Sequence, residues 1–206
     1  MAPMWAFESS FWDRGYTKVA GFDEAGRGAW AGPLVVAAVI LPSDGLSRDY
    51  RDSKQLSAIQ RMEYAQAIQR EAVAWGVAFA SHEEIDAVNV LRATRNAALR
   101  LVEQIQPDAA VTDYLRLDTD LPQVFPAKAD QKSYSVAAAS ILAKVARDAH
   151  CLELDALYPQ YGFAQHKGYG TLQHRRALEQ HGPSPIHRMT FSPLKKLKNS
   201  ILETEF

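Results

Sequence analysis

Cysteine is almost missing from this chain: Cys151 is the only one in 206 residues. That count excludes an intrachain disulfide and a thiolate metal cluster, and it suits a reducing compartment without requiring one. Long apolar runs are missing as well. A spanning helix needs about 18 uninterrupted apolar residues, and the longest run here, residues 29–41, is broken by Gly32 and Pro33. The opening stretch MAPMWAFESSFWDRG lacks a basic segment followed by an apolar core and a small-residue cleavage site. A soluble protein is expected, with the cytoplasm as the simplest location. Repeats and low-complexity tracts are absent, and the six histidines show no H-x-x-x-H spacing.

What is present sits at the globular average, with 47% hydrophobic and 23% charged positions, enough for one domain with a sizeable core. The net charge of -1 hides an uneven distribution. Residues 1–160 carry 16 Lys and Arg against 21 Asp and Glu, whereas residues 161–198 carry seven against one. A carboxylate-rich body with a basic C-terminal stretch can hold cations in one place and phosphates in another. A solvated basic helix explains the same stretch.

Short β-branched runs at residues 18–24 (KVAGFDE) and 34–41 (LVVAAVIL) flank the glycine-rich GRGAWAG, which predicts a strand, a loop and a buried strand. Near-helical apolar spacing predicts a helix over 57–74, and WGVAFA at 75–80 predicts a third strand. Ser81 and Glu84 form a capping-box pattern for a short helix, followed by a longer helix over 90–105. Pro107 stops that helix, AAVTD at 109–113 predicts a fourth strand, and residues 118–126 are turn-rich. The longest helical pattern runs over 133–157, with the small residues of VAAASILAKVA, and a last helix over 171–181 ends at Gly182 and Pro183. Strands alternating with helices over one core predict an α/β domain with a mixed sheet, because the first two strands are close enough to be antiparallel neighbours.

The acids stand out by their positions. Asp23 and Glu24 end the first strand, Asp113 ends the fourth, and Asp130 precedes the long helix. Carboxylates near a core are costly unless paired or coordinating a cation. Strand ends reaching solvent, and an acidic N-cap at Asp130, are the plain explanations. Four carboxylates without a histidine or cysteine cluster also match the all-oxygen coordination of Mg²⁺ and Mn²⁺. Two such ions about 4 Å apart can activate water and stabilise a leaving oxygen in phosphoryl displacement. The loop Gly26, Arg27, Gly28 can bring backbone amides close to a ligand, or serve as an ordinary hairpin loop. Lys54, Lys128, Lys132, Lys144 and Lys167 are candidate phosphate contacts, although most lysines are simply solvated, and physics alone does not choose among them.

Six ordered blocks carry a family resemblance: GFDEAGRG with AGPLVVAAVIL, DSKQLS, VTD at Asp113, KADQKSYSVAAASILAKVARD, YGFAQHKGYGT and GPSPIHRMTFSP. Together they resemble ribonuclease HII from Val19 to about Leu194. The resemblance implies a ribonuclease H-like fold, a mixed five-stranded sheet flanked by helices, with a helical C-terminal appendage. It divides the chain into an extension (1–16), a catalytic core (17–160) and a basic substrate-binding region (161–206). It implies an endoribonuclease that hydrolyses the RNA strand of RNA/DNA hybrids and incises 5′ of ribonucleotides embedded in duplex DNA. The products carry 3′-hydroxyl and 5′-phosphate ends, and the role implied is ribonucleotide removal and RNA primer processing in DNA repair and replication. Asp23, Glu24, Asp113 and Asp130 take the positions of the catalytic metal-binding acids, with Mg²⁺ or Mn²⁺ as cofactor. Gly26, Arg27, Gly28, Lys54, Ser133, Ser135, Lys167 and Tyr169 take those of substrate contacts, Tyr169 beside the ribonucleotide junction. A close backbone loop plus a stacking aromatic suits the sensing of a 2′-hydroxyl. A monomer without membrane or protein partner is expected.

Ala129, Tyr114, Ala29 and Trp30 depart from the usual family residues, which bears on loop geometry and substrate ranking. A form with an extra N-terminal substrate-binding domain does not fit the short segment before the first strand. The alternatives are a structure-specific nuclease that cuts all-DNA duplexes, or a silent hybrid-binding module, against which all four acids argue. A kinase or dehydrogenase phosphate loop fits poorly, because GRGAWAG lacks both GxxxxGK[ST] and GxGxxG before a helix. Cys151 sits in a helical pattern and is expected to be an inert thiol, and His187 a structural residue.

Overall fold

The run LVVAAVI forms a strand in which every residue is buried, because it lies inside a sheet covered on both faces. A computed structural model describes residues 4–44, 49–50 and 56–195. Five strands, β1 (Val19–Ala25), β2 (Leu34–Ile40), β3 (Ala74–Ala80), β4 (Ala109–Thr112) and β5 (Gln123–Val124), form one sheet in the order β3-β2-β1-β4-β5. β1 runs antiparallel to β2 and parallel to β4, and β4 runs parallel to β5, so the sheet is mixed. The helices are α1 (Ala6–Trp12), α2 (Ala58–Glu71), α3 (His82–Val88), α4 (Val90–Ile105), α5 (Tyr134–Leu157), α6 (Phe163–His166) and α7 (Leu172–His181). No helix among the described residues is long and apolar enough to cross a membrane.

The sequence expectations differ from this in instructive places. α2 ends at Glu71 and β3 begins at Ala74, so the tail of the helical pattern is spent on the sheet. Ser57 Oγ caps α2 by accepting from the Gln60 N–H while the Gln60 side chain returns to the Ser57 N–H. At Ser81 the hydroxyl likewise accepts from the Glu84 N–H at 3.1 Å. The turn-rich stretch after β4 contains β5, a two-residue strand too short to leave a periodic signal. Asp130 does not cap α5. It lies in a 3₁₀ turn, Ala129–Gln131, and Ser133 Oγ accepts from the Val136 N–H at the head of the helix.

The chain forms two compact units. The first holds most of the sheet with residues 1–25, 35–79 and 94–146. Its core joins Ala37 and Val39 of β2, Ile68 of α2 and the alanines of α5 from Ala137 to Ala143. Small residues on α5 let the helix lie close to the sheet, and at Gly21 a Cβ would stand 2.1 Å from the Ser135 carbonyl carbon, so only glycine fits there. Phe11 of α1, with Phe7 and Trp12 beside it, joins a cluster containing Val19, Ala109, Val111 and Val136. The aromatic N-terminal segment is therefore part of this core. The second unit holds residues 26–34, 80–93 and the C-terminal part from Arg147. Its core is Ala31, Leu154, Tyr161, Phe163, Ala177, Leu178 and Leu194.

Candidate active site

The four acids belong to the first unit, and strand register explains how three of them come together. β1 and β4 are parallel neighbours with Phe22 opposite Thr112, so Asp23, still within β1 and paired with Ala37 of β2, and Asp113, the residue after β4, follow one matched pair of positions. Glu24 follows Asp23 on β1, where burial gives way to partial exposure. Asp23 Oδ1 accepts from the Glu24 N–H at 2.8 Å, and its carboxyl also bonds the Ser140 side chain. Burial first, then the negative charge of Glu24 and more weakly that of Asp113, push the Asp23 carboxyl up to about 7. Asp113 Oδ1 accepts from the Ala129 N–H at 3.1 Å, which ties it to the residue preceding Asp130. Asp130 is 9% exposed. Among the described residues no three acidic, histidine or cysteine side chains converge as ligands of one ion as they stand.

Tyr114, next to Asp113, is in the left-handed region with φ 52° and is 76% exposed. Ser133 and Ser135 are interior, at 0% and 1% exposure, and Ser133 Oγ donates to the Glu8 carboxylate. Lys54 lies outside the described residues.

The GRG loop and the HKGYGT segment belong to the second unit. Gly26 is buried with φ 90°, and a Cβ there would meet Arg147 Nε at 1.9 Å. Arg27 and Gly28 are exposed. Arg188 Nη1 donates to the carbonyls of Gly26 at 2.8 Å and Arg27 at 3.2 Å, while its Nε donates to the Gly32 carbonyl. Arg147 donates to the carbonyls of Pro33 and Lys167, and its guanidinium lies 5.2 Å from the centre of the Tyr169 ring. Lys167 Nζ donates to the Ala164 carbonyl, and Tyr169 is 38% exposed.

Arg147 and Arg188 were not singled out by sequence reasoning, and nothing in ARD or HRM marks them as interior. They are 1% and 0% exposed, and Arg147 Nη1 and Arg188 Nη2 are buried without a hydrogen bond among the described residues. Burial and the charge of Arg147 lower the Arg188 guanidinium to about 9. One of the seven basic residues of the C-terminal stretch is thus a support for the glycine loop, not a surface charge.

Comparison with known proteins agrees with this architecture. A family model described as Ribonuclease HII matches residues 20–194. Ribonuclease HII of a Thermus thermophilus strain is 53% identical over 189 residues, covering 91% of this chain and 92% of that protein. The crystal structure of the ribonuclease H2 from Pyrococcus horikoshii OT3 superposes with a TM-score of 0.76 at 27% identity, over 90% of this chain and 99% of that one. The fold is also that of Bst-RNase HIII crystallised in complex with Mn²⁺, with a TM-score of 0.66 at 20% identity, over 90% of this chain and 70% of that one. A family match across nearly the whole fold makes this chain a member of the ribonuclease HII family and an endoribonuclease.

Proposed function

We propose that the chain hydrolyses the RNA strand of RNA/DNA hybrids and incises duplex DNA 5′ of embedded ribonucleotides, using Mg²⁺ or Mn²⁺ held by Asp23, Glu24, Asp113 and Asp130. One observation carries the reading: Asp23 and Glu24 near the end of β1 and Asp113 just past the parallel β4 crowd negative charge where burial already disfavours it. Such a site gains most from a cation. The donor set is oxygen only, which matches the coordination that Mg²⁺ and Mn²⁺ prefer. With the ions bound, the chemistry supplied is an activated water and stabilisation of the departing 3′-oxygen.

The protein's own groups hold and orient. Asp23 is anchored through the Glu24 N–H and Asp113 through the Ala129 N–H, which restricts both carboxylates to a few rotamers. The exposed Gly28 and the backbone of Arg27, supported from below by Arg188, offer amides to the 2′-hydroxyl that separates RNA from DNA. The half-exposed Tyr169 ring, resting on Arg147, supplies an apolar face at the ribonucleotide junction. Lys167 and the exposed basic residues of 161–195 contact phosphates, and Ser133 and Ser135 act from the interior by setting the start of α5. The products carry 3′-hydroxyl and 5′-phosphate ends, and the cellular role is ribonucleotide removal and primer processing.

The test offers three labelled duplexes to the purified protein: all-DNA, DNA with one ribonucleotide, and RNA/DNA hybrid, each with Mg²⁺, Mn²⁺ or chelator. Metal-dependent incision 5′ of the single ribonucleotide, with all-DNA intact, is expected. Cutting of all-DNA duplex would overturn the 2′-hydroxyl reading.

A further inference from the structure

Three histidines that the proposed reaction does not use stand together inside the second unit. His166, His174 and His187 are 8%, 0% and 1% exposed. The rings of His166 and His174 stack at 4.4 Å, and His174 Nε2 meets His187 Nε2 at 3.0 Å. Phe163 closes on all three rings and Tyr161 on His187, so aromatic rings enclose the group.

The nearest backbone partners at the outer nitrogens assign the protons. The Ser184 backbone N–H donates to His187 Nδ1 at 2.9 Å, so that nitrogen is an acceptor and His187 carries its proton on Nε2. At the other end, His174 Nδ1 faces the Tyr169 carbonyl at 3.0 Å. A carbonyl only accepts, so His174 carries its proton on Nδ1 and leaves Nε2 as the acceptor. The contact between the two rings is then a His187 N–H donating to a bare His174 nitrogen. The Ser184 hydroxyl lies 2.8 Å from His187 Nδ1, and the Ser184 carbonyl, an acceptor, stands farther off at 3.3 Å. His166 obeys the same logic independently: Nε2 donates to the Tyr161 carbonyl at 2.7 Å and Nδ1 accepts from the Gly168 N–H at 3.2 Å.

We propose that His174 and His187 are positioning residues: a neutral, one-directional hydrogen-bond chain from Ser184 through His187 and His174 fixes the Tyr169 carbonyl, and with it the Tyr169 ring above Arg147. The chain ends on the residue given the junction role, so the inference rests on that reading of Tyr169. The carbonyl also accepts from the Thr171 N–H, and the Tyr169 N–H donates to the His166 carbonyl, so the tyrosine backbone is held from both sides. A second proton on His174 would set two N–H groups against each other at 3.0 Å. Burial accordingly lowers both His174 and His187 to about 4. The other titratable groups acting on the three rings are Asp155 and Lys167 at His166 and His82 at His187.

Long-range ¹H–¹⁵N NMR on the intact wild-type protein reads the proton positions directly. The expected result at about pH 6, where a free imidazole is largely charged, is three neutral rings, with His174 protonated on Nδ1 and the other two on Nε2. A His174 proton on Nε2, or a charged His174, overturns the proposal. Function is tested by His174→Asn, whose amide N–H stands where Nδ1–H stands, against His174→Gln, whose amide reaches the Nε2 position. His174→Gln should lose about 10-fold or more in incision at a single ribonucleotide relative to long hybrid, and His174→Asn should recover most of that ratio. Equal ratios in both variants overturn the positioning role. If wild-type protein leaves embedded ribonucleotides uncut, the substrate reading fails while the NMR result still decides the hydrogen-bond chain.

Discussion

The Glu8 carboxylate accepts a hydrogen bond from the Ser133 hydroxyl at 2.6 Å, and the same oxygen accepts from the Ser135 N–H at 3.0 Å. A short helix near the start of the chain thereby holds the first turn of α5, three residues after Asp130. Glu8 is 0% exposed, and burial raises its carboxyl above the usual range.

Removing this anchor has a defined cost. Glu8→Ala leaves two buried donors unsatisfied, each worth about 1 to 3 kcal/mol, and a urea denaturation midpoint should fall accordingly. Glu8→Gln keeps an acceptor oxygen and cannot ionise. Because the folded-state carboxyl is raised, wild type loses stability as pH rises through that raised value, and the Gln variant should lack this loss. An unchanged midpoint for Glu8→Ala would remove the anchor role.

The Asp23 carboxyl makes a parallel pH prediction for the metal-free protein. Its raised value means that its contribution is fully present below about 4 and is lost as pH rises through about 7. In chelator, the thermal midpoint should fall across that window, and Asp23→Asn should flatten the fall. Divalent ion should restore stability at the alkaline end, because it binds the ionised form.

Asp113→Asn should cost about 100-fold or more in cleavage rate with the fold intact, since it removes charge where the reaction needs it. The same variant removes one of the charges that raise Asp23, so the pH at which metal-free stability falls should move down. Wild-type cleavage by Asp113→Asn under matched metal would take Asp113 out of the site.

Tyr114 holds a bulky residue at φ 52° while 76% exposed, so it bears left-handed backbone strain without burying its ring. Tyr114→Gly should stabilise the protein by up to about 1 kcal/mol. A lower denaturation midpoint would show that the exposed ring makes a contact worth more than the strain.

Hybrid binding should weaken steeply with salt, roughly 100-fold between about 50 and 200 mM for about four neutralised phosphates. Arg175 and Arg176, both exposed, are suited to contribute, whereas Arg188 is committed to the carbonyls of Gly26, Arg27 and Gly32. Charge reversal at the two exposed arginines should reduce the slope. A flat salt dependence would count against this stretch as a phosphate contact.

Much of the architecture was legible in local pattern. The continuous apolar run of β2, the small-residue helix α5 and the glycine after α7 are each written in a few consecutive residues, because periodicity and capping act over one or two turns. Asp23, Glu24 and Asp113 stand out for the same reason: a carboxylate in or just after an apolar strand is conspicuous whatever lies around it. Tertiary structure alone decided which of them are neighbours, since the pairing of β1 with β4 joins residues 90 apart. It also decided that Ser133 faces Glu8 across 125 positions and that Arg188 reaches Gly26 across 162. Buried polar groups obey no periodicity; each must find its partner wherever the folded chain supplies one. That rule placed two arginines under the glycine loop and three histidines in a row, of which the sequence singles out only His187, as a structural residue.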